Sequence, residues 1–309
     1  MKHPAPKSIS TEAQAFIASA PPLSTTQITA DNIQMIRDEV AAGYKPTVDQ
    51  VCKTYDPTIT EISIAGVPVQ KVQAGPDAPD DGRVIFYIFG GGFVTGDPTT
   101  DQIVTVPLAH KTGATVYAPH YRLAPEHLYP AATDDCFTVY KALLDQVGAD
   151  RIAISGESAG GNLALSVMSQ AHGAGLPLPL AAALFSPFGD FTLASDTLAT
   201  LKDVEPTLGN AESMVATYTP AGQDMKDPTL SPLYADFDAT WPPTLFTTGT
   251  RDLLLSESAR LSTAMRQAGV DVSLHVWEGM WHVFEFYPQL PEAQKSLCEV
   301  ADFLNEHFG

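Results

Sequence analysis

A serine set between glycines is the first place in this sequence where chemistry can be located. Gly156-Glu-Ser-Ala-Gly160 fits G-x-S-x-G. A serine hydroxyl is a weak nucleophile near neutral pH until a base takes its proton. The base needs an orienting acid, and the oxyanion that forms needs fixed hydrogen-bond donors. Of the eight histidines, only His282 combines a loop behind an expected strand with a place after the serine in chain order. His275 falls inside that strand, His110 and His172 on expected helices, and His3 and His307 at the two ends. His120 and His127 sit upstream in a Pro-rich segment. Asp252 follows another expected strand and precedes His282 by 30 positions, whereas Glu257 and Asp271 fall on the next helix and in its exit loop. Phe89-Gly-Gly-Gly-Phe93 ends a strand with backbone N–H groups that no side chain screens, and the Ala159 N–H adds to them. Taken singly, each feature has a plain alternative: a Gly-rich turn with a surface serine, a core histidine, a turn aspartate, a glycine turn without a ligand. Their order is what argues for a hydrolytic constellation.

The elements around these residues decide whether they can meet. Residues 151–155 form a short apolar run that reads as a doubly buried strand, and Asn162 to Met168 continue as an apolar helix. A strand turning directly into a helix strains the central residue and exposes its hydroxyl, which is a nucleophile elbow. Further strands are expected at Glu61–Ala65 and Val67–Gln73 as a hairpin around Gly66, at Arg83–Phe89, Ala114–Pro119, Ala181–Ser186, Thr244–Thr248 and Val272–Trp277. Helices are expected at Thr11–Ser19, Thr99–Lys111, Asp134–Val147, Ser256–Ala268 and Pro291–Phe308. Another runs from an Asp31 cap through Ala42 and ends at Gly43, with Ile33, Ile36 and Val40 as its apolar stripe. A polar turn is expected over Pro76–Gly82. Strands alternating with helices indicate an α/β fold with a doubly wound, mostly parallel eight-stranded sheet. The fifty or so residues between Ser186 and Pro243 exceed one crossover, with an irregular stretch from Asp190 to Glu205 and a helix within Thr207–Tyr218. Such an insertion at a strand's C-terminal end is where a lid sits. Residues 1–50 and 191–225 are thus expected to form a helical cap over a catalytic domain made of 51–190 and 226–309.

Composition narrows the partners. A net charge of −19 and a pI near 4.6 argue against nucleic acid and anionic membranes. No apolar run reaches the roughly 18 residues of a membrane span, and Met1–Lys7 lacks the apolar core of a leader peptide. Cys52, Cys136 and Cys298 are few and widely spaced, which suits a reduced, cytoplasmic setting and gives no zinc spacing.

The chain resembles the hormone-sensitive-lipase family of microbial carboxylesterases, in the α/β-hydrolase superfamily, over roughly residues 83 to 309. Phe89-Gly-Gly-Gly resembles the family's His-Gly-Gly-Gly, and Gly156-Glu-Ser-Ala-Gly-Gly161 its Gly-Asp-Ser-Ala-Gly-Gly. Tyr121-Arg-Leu-Ala-Pro-Glu-His-Leu-Tyr-Pro-Ala-Ala-Thr-Asp134 matches its connecting segment. Arg251 to Glu257, with Trp277 to His282, looks more like the branch named for monoterpene lactone hydrolysis. The resemblance implies Ser158 as nucleophile, His282 as general base and then acid, and Asp252 as the orienting carboxylate. Gly91, Gly92 and Ala159 would form the oxyanion hole, with no cofactor and no metal. In the connecting segment, Arg122 and Glu126 are expected to pair with charges of the fold. Two departures stand out: Phe89 where the family has histidine, and Glu157 where it has aspartate.

A small-molecule carboxylic ester is therefore the expected substrate, with a lactone as the alternative. From another class, a catalytically silent fold that binds a small molecule is the competing reading. Phe93, Phe188, Met214, Met280 and Trp281, with Ile33 and Ile36, are the expected pocket walls, suiting short to medium acyl or alcohol groups. The Val272–Trp277 edge strand is a site where two copies would pair as a homodimer, although a protected, unpaired edge is equally physical.

Overall fold

Five-residue apolar runs such as Val84–Ile88 and Ala181–Phe185 are buried along their whole length, a pattern that suits strands covered on both faces. The computed structural model describes residues 4–309 apart from 22, 24–26, 77, 79, 80 and 210. Its strands are β1 Thr58–Ile64, β2 Val67–Gln73, β3 Val84–Ile88, β4 Thr115–Pro119, β5 Ile152–Glu157, β6 Ala181–Phe185, β7 Thr244–Gly249 and β8 Val272–Trp277. Its helices are α1 Thr11–Ser19, α2 Ile33–Tyr55, α3 Gln102–Thr112, α4 Ala131–Val147, α5 Ala159–Gly173, α6 Thr197–Thr200, α7 Ala211–Tyr218, α8 Leu255–Gln267 and α9 Pro291–Phe308. His3 lies outside the described residues, and the turn expected at 76–82 falls there in part.

One eight-stranded sheet runs in the order β1-β2-β4-β3-β5-β6-β7-β8. The pairs β1–β2 and β2–β4 are antiparallel and every other pair is parallel. Strand order reverses between β3 and β5, and ligands of open α/β sheets bind at that switch point, beyond the strands' carboxyl ends. In this register Ile88 lies opposite Gly156, so the glycine run after β3 meets the serine turn after β5. The approach is close. A side chain at Gly160 would run into the carbonyl oxygens of Ile88 and Phe89.

Helix α2 corrects the expected stop at Gly43. Its N-cap is Asn32, and it continues through Gly43 and Pro46 to a left-handed Asp56. Proline forfeits one backbone bond there, but burial of Val48 and Val51 holds the later turns, as does the Cys52 thiol donating to Gln102 Oε1 of α3 at 3.3 Å. The N-terminal segment also touches the insertion, where Ile28 N–H donates to Ser213 Oγ of α7 at 3.1 Å. Within the insertion, α7 starts at Ala211, later than the Thr207 expected.

A second apolar cluster stands apart from the main core. Ile9, Ala13 and Ile17 of the N-terminal segment pack there with Met280, Trp281, Phe284, Leu290 and Ala293. The Phe16 ring stacks on Trp281 with centroids 4.3 Å apart. Met280 and Trp281 are therefore interior packing residues, not cavity walls. Both pack with the N-terminal segment, whereas the next residue, His282, reaches Ser158.

Candidate active site

Ser158 sits between β5 and α5 at φ 53°, a region that side-chain-bearing residues enter at a cost of about 1–3 kcal/mol. The surrounding packing holds it there: Ser158 N–H donates to the Phe185 carbonyl of β6 (2.9 Å), and its own carbonyl accepts from Asn162 and Phe188. The hydroxyl thereby faces His282, whose Nε2 lies 2.9 Å from Ser158 Oγ. On the other side of the ring, Nδ1 is 3.0 Å from Asp252 Oδ1. An Nδ1–H donated to the carboxylate leaves Nε2 free to accept the serine proton.

The two loops that bring acid and histidine are fastened to each other. Arg251 N–H donates to the Met280 carbonyl (2.9 Å) and Gly279 N–H to Thr250 Oγ1 (2.7 Å). Asp252 is fully buried, and it accepts from Thr248 Oγ1 at 2.7 Å and from Leu254 N–H at 2.8 Å. Burial alone would raise its carboxyl; the His282 ring, the Ser186 hydroxyl and the Leu254 N–H more than offset that, leaving it below the usual range. For His282, burial works against the charged ring, yet Asp252 overcomes it and the imidazole ends above its ordinary value.

The glycine run turns through φ 103° at Gly91 and 63° at Gly92, which favours glycine at both positions. Val94 N–H, Thr95 N–H and Thr95 Oγ1 all donate to the Gly91 carbonyl. That fixes the peptide between Gly91 and Gly92, which line the same cavity as Ser158. Phe89 is buried and stacks on Tyr121, centroids 4.0 Å apart and planes 12° from parallel. Tyr121 OH donates to the Phe89 carbonyl at 2.8 Å, and Gly90 N–H donates to Glu157 Oε1 at 2.5 Å. The two departures from the family pattern thus meet at one loop and brace it together. Burial pushes the Glu157 carboxyl up to about 7, against the pull of His282 and the Gly90 N–H. The expected ion pairing of the connecting segment is present: Arg122 pairs with Asp135 at 2.8 Å and Glu126 with Arg37 of α2 at 2.7 Å.

Two cavities meet at Ser158. The larger, about 210 Å³, is lined by Gly90, Gly91, Gly92, Asp101, Glu157, Ser158, His282, Val40, Tyr44, Thr207, Leu208, Met214, Phe286 and Tyr287 among others. The smaller, about 20 Å³, has walls from Phe93, Phe188, Ala159, Met214, Val215 and Leu254. Phe93, Phe188 and Met214 are thus placed at the serine. Ile33 and Ile36 line neither cavity and pack toward the main core. They share the stripe of α2 with Val40 and Tyr44, but the helix passes the cavity at 40–44, about 10 Å further along its axis from Ile33. Tyr44, Tyr287, Asp101, Thr207 and Leu208 are not among the pocket walls expected from the sequence. A helix allowed to run past Gly43 is the one signal that pointed to Tyr44.

Residues 85–286 match the family described as alpha/beta hydrolase fold. The chain belongs to the α/β-hydrolase family. This hydrolase is 35% identical over 267 residues to an esterase of Acinetobacter venetianus, spanning 84% of this chain and 87% of that protein. It is 34% identical to an acetyl-hydrolase of Streptomyces hygroscopicus, over 75% of this chain and 78% of the relative. A crystal structure of an esterase from the bacterial hormone-sensitive lipase (HSL) family superposes with a TM-score of 0.85 at 30% identity, covering 97% of this chain and 99% of the other. Another esterase structure gives a TM-score of 0.90 at 30% identity, over 99% and 97%. The hydrolase is accordingly a carboxylic ester hydrolase of the hormone-sensitive-lipase-like kind. Among its described residues no helix is long and apolar enough to cross a membrane.

Proposed function

We propose that this esterase cleaves esters of short acyl groups through an acyl-enzyme on Ser158. The observation that carries this reading is the continuous relay Ser158–His282–Asp252, with links of 2.9 and 3.0 Å, beside a braced glycine loop. His282 takes the serine proton as Oγ adds to the ester carbonyl. Gly91, Gly92 and Ala159 N–H groups hold the oxyanion, and Asp252 stabilises the imidazolium. His282 then gives its proton to the departing alkoxide, and the acyl-serine remains. Water, deprotonated by the same ring, adds to that acyl carbon; collapse returns the proton to Ser158 and frees the acid.

The cavities support an assignment of the two halves of the ester. His282 lines only the larger one, and the leaving alcohol must reach His282. The acyl chain then enters the smaller space, about 20 Å³, which is room for one or two water-sized groups. That favours acetyl and propionyl chains, in line with relatives named acetyl-hydrolase and ethyl acetate hydrolase. The first fifty residues, with α2 extending that segment to Tyr55, and the insertion at 191–225 supply Val40, Tyr44, Thr207, Leu208 and Met214 as cavity walls, so we assign them the role of a cap.

Hydrolysis of p-nitrophenyl acetate, butyrate and octanoate by wild type and Ser158→Ala tests the reading. Acetate should be the best substrate of the three and octanoate the poorest, and the variant should lose at least roughly 10⁴-fold in kcat. A wild type that neither hydrolyses nor is labelled by a fluorophosphonate would remove Ser158 as nucleophile. Equal rates on all three chains would remove the acyl assignment.

A further inference from the structure

The insertion carries a carboxylate that the relay does not account for. Glu205 is 4% exposed, and each of its oxygens is engaged. Oε2 accepts from the backbone N–H of His282 at 2.9 Å. Oε1 accepts from Thr207 N–H and Thr207 Oγ1, both at 2.7 Å, and from Leu208 N–H at 3.2 Å. Every one of these partners is a donor. Only a group with two acceptor oxygens satisfies them; an amide would turn its NH₂ onto one of the donors.

The two ends of that carboxylate join parts of the molecule with different duties. One end holds the main chain of the histidine that lies hydrogen-bonded to Ser158. The other holds the Thr207–Leu208 turn, which walls the larger cavity. We propose that Glu205 is a positioning residue for ester cleavage, a second carboxylate of His282 that fixes its loop and steadies the imidazolium formed as Ser158 attacks. The proposal rests on Ser158 and His282 acting as described above. Asp252 reaches the ring at Nδ1 from the loop after β7, while Glu205 comes from the insertion, on the backbone side. A positive ring between two anions is more stable than one beside a single anion.

Three carboxyl groups act on the His282 ring: Asp252, Glu205 and Glu157, in that order, and each favours its charged form against the opposing effect of burial. Arg251 and Tyr287 also stand close enough to Glu205 to feel its charge, and Asp252 acts on Glu285. Burial and then Asp252 raise the Glu205 carboxyl itself, with His282 and Thr207 pulling it back.

The experiment compares the full-length wild type with Glu205→Gln and Glu205→Asp. It records kcat/KM for p-nitrophenyl acetate against pH, and the NMR titration of the His282 ring. In Glu205→Gln the acid limb and the ring pKa should both fall by about one pH unit, and kcat by about 10-fold, with a smaller change in KM. A folded Glu205→Gln protein whose ring titrates as in wild type overturns the proposal. Should the glutamine variant fail to fold, Glu205→Asp decides. One methylene shorter, it keeps the charge but cannot reach both ends, so kcat should fall about 5-fold while the limb moves by less than about 0.3 units. Unchanged kcat in the aspartate variant would sink the idea. A wild type without esterase activity defeats the Ser158 reading instead, and the ring titration still judges Glu205.

Discussion

At the scale of single residues, the proposed base should govern how activity follows pH. In the proposed mechanism, base catalysis requires neutral His282. Its proton affinity is raised despite burial, because Asp252 lies on Nδ1. The rate should therefore fall as pH drops through a value above the ordinary 6.5 of imidazole, and kcat/KM profiles will show it. Asp252→Asn should cost roughly 10⁴-fold in kcat by favouring the wrong tautomer. The glycine loop offers a subtler test. Tyr121→Phe removes the hydroxyl that donates to the Phe89 carbonyl. About 1 kcal/mol of stability should go with it, and kcat should fall about 10-fold as the loop loosens, measurable by thermal melts beside steady-state kinetics.

At the scale of elements, α2 is fastened to the segments that follow β3 and β4. Arg37 donates from Nε to the Val94 carbonyl at 2.8 Å and from a terminal nitrogen to the Ala124 carbonyl at 2.9 Å, while also pairing with Glu126. Arg37→Met should free the helix that carries Val40 and Tyr44. We expect KM to rise several-fold with kcat changed far less, because the cavity wall shifts and the relay does not. The same helix marks the border of what the sequence made legible. Strands announced themselves as short apolar runs, and the order serine, aspartate, histidine was readable because each residue follows the end of a strand. Gly43 and Pro46, by contrast, look like stop signals, and it takes contacts beyond them, the burial of Val48 and Val51 and the Cys52 bond to Gln102, to override that. Trp281 beside His282 invited a cavity role, yet its ring is held by Phe16 from the far end of the chain. Nor does any spacing rule reveal Glu205, whose partner is a main-chain N–H 77 positions away.

At the scale of the whole molecule, buried acids set the response to pH. Burial pushes Glu157, Glu257 and Glu285 each up to about 7. An unfolded glutamate titrates near 4.5, so between about 4.5 and 7 the folded chain binds more protons than the unfolded one. Stability should accordingly decline as pH rises through that window. Asp252 works the other way, its depressed carboxyl adding stability that is lost as pH falls below about 4. Melting temperature should peak near pH 5 and drop by pH 8, where the net charge of −19 adds self-repulsion. A melting temperature that climbs steadily to pH 8 would contradict the burial of these three groups.

The packing of Phe16 on Trp281 bears on how much chain the enzyme needs. Ser10 caps α1 and ties it to α9, its N–H and hydroxyl donating to the two carboxylate oxygens of Glu292 at 2.7 and 2.8 Å. That helix covers the back of the His282 loop. The stretch shared across the family, 85–286, contains the whole relay and yet leaves this backstop out. A trimmed protein starting at residue 30 would keep Ser158, Asp252 and His282 while uncovering the Trp281 indole, which should redden its fluorescence. Its turnover should fall with no catalytic atom removed. Full turnover should therefore need chain that begins before α1, far upstream of Ser158.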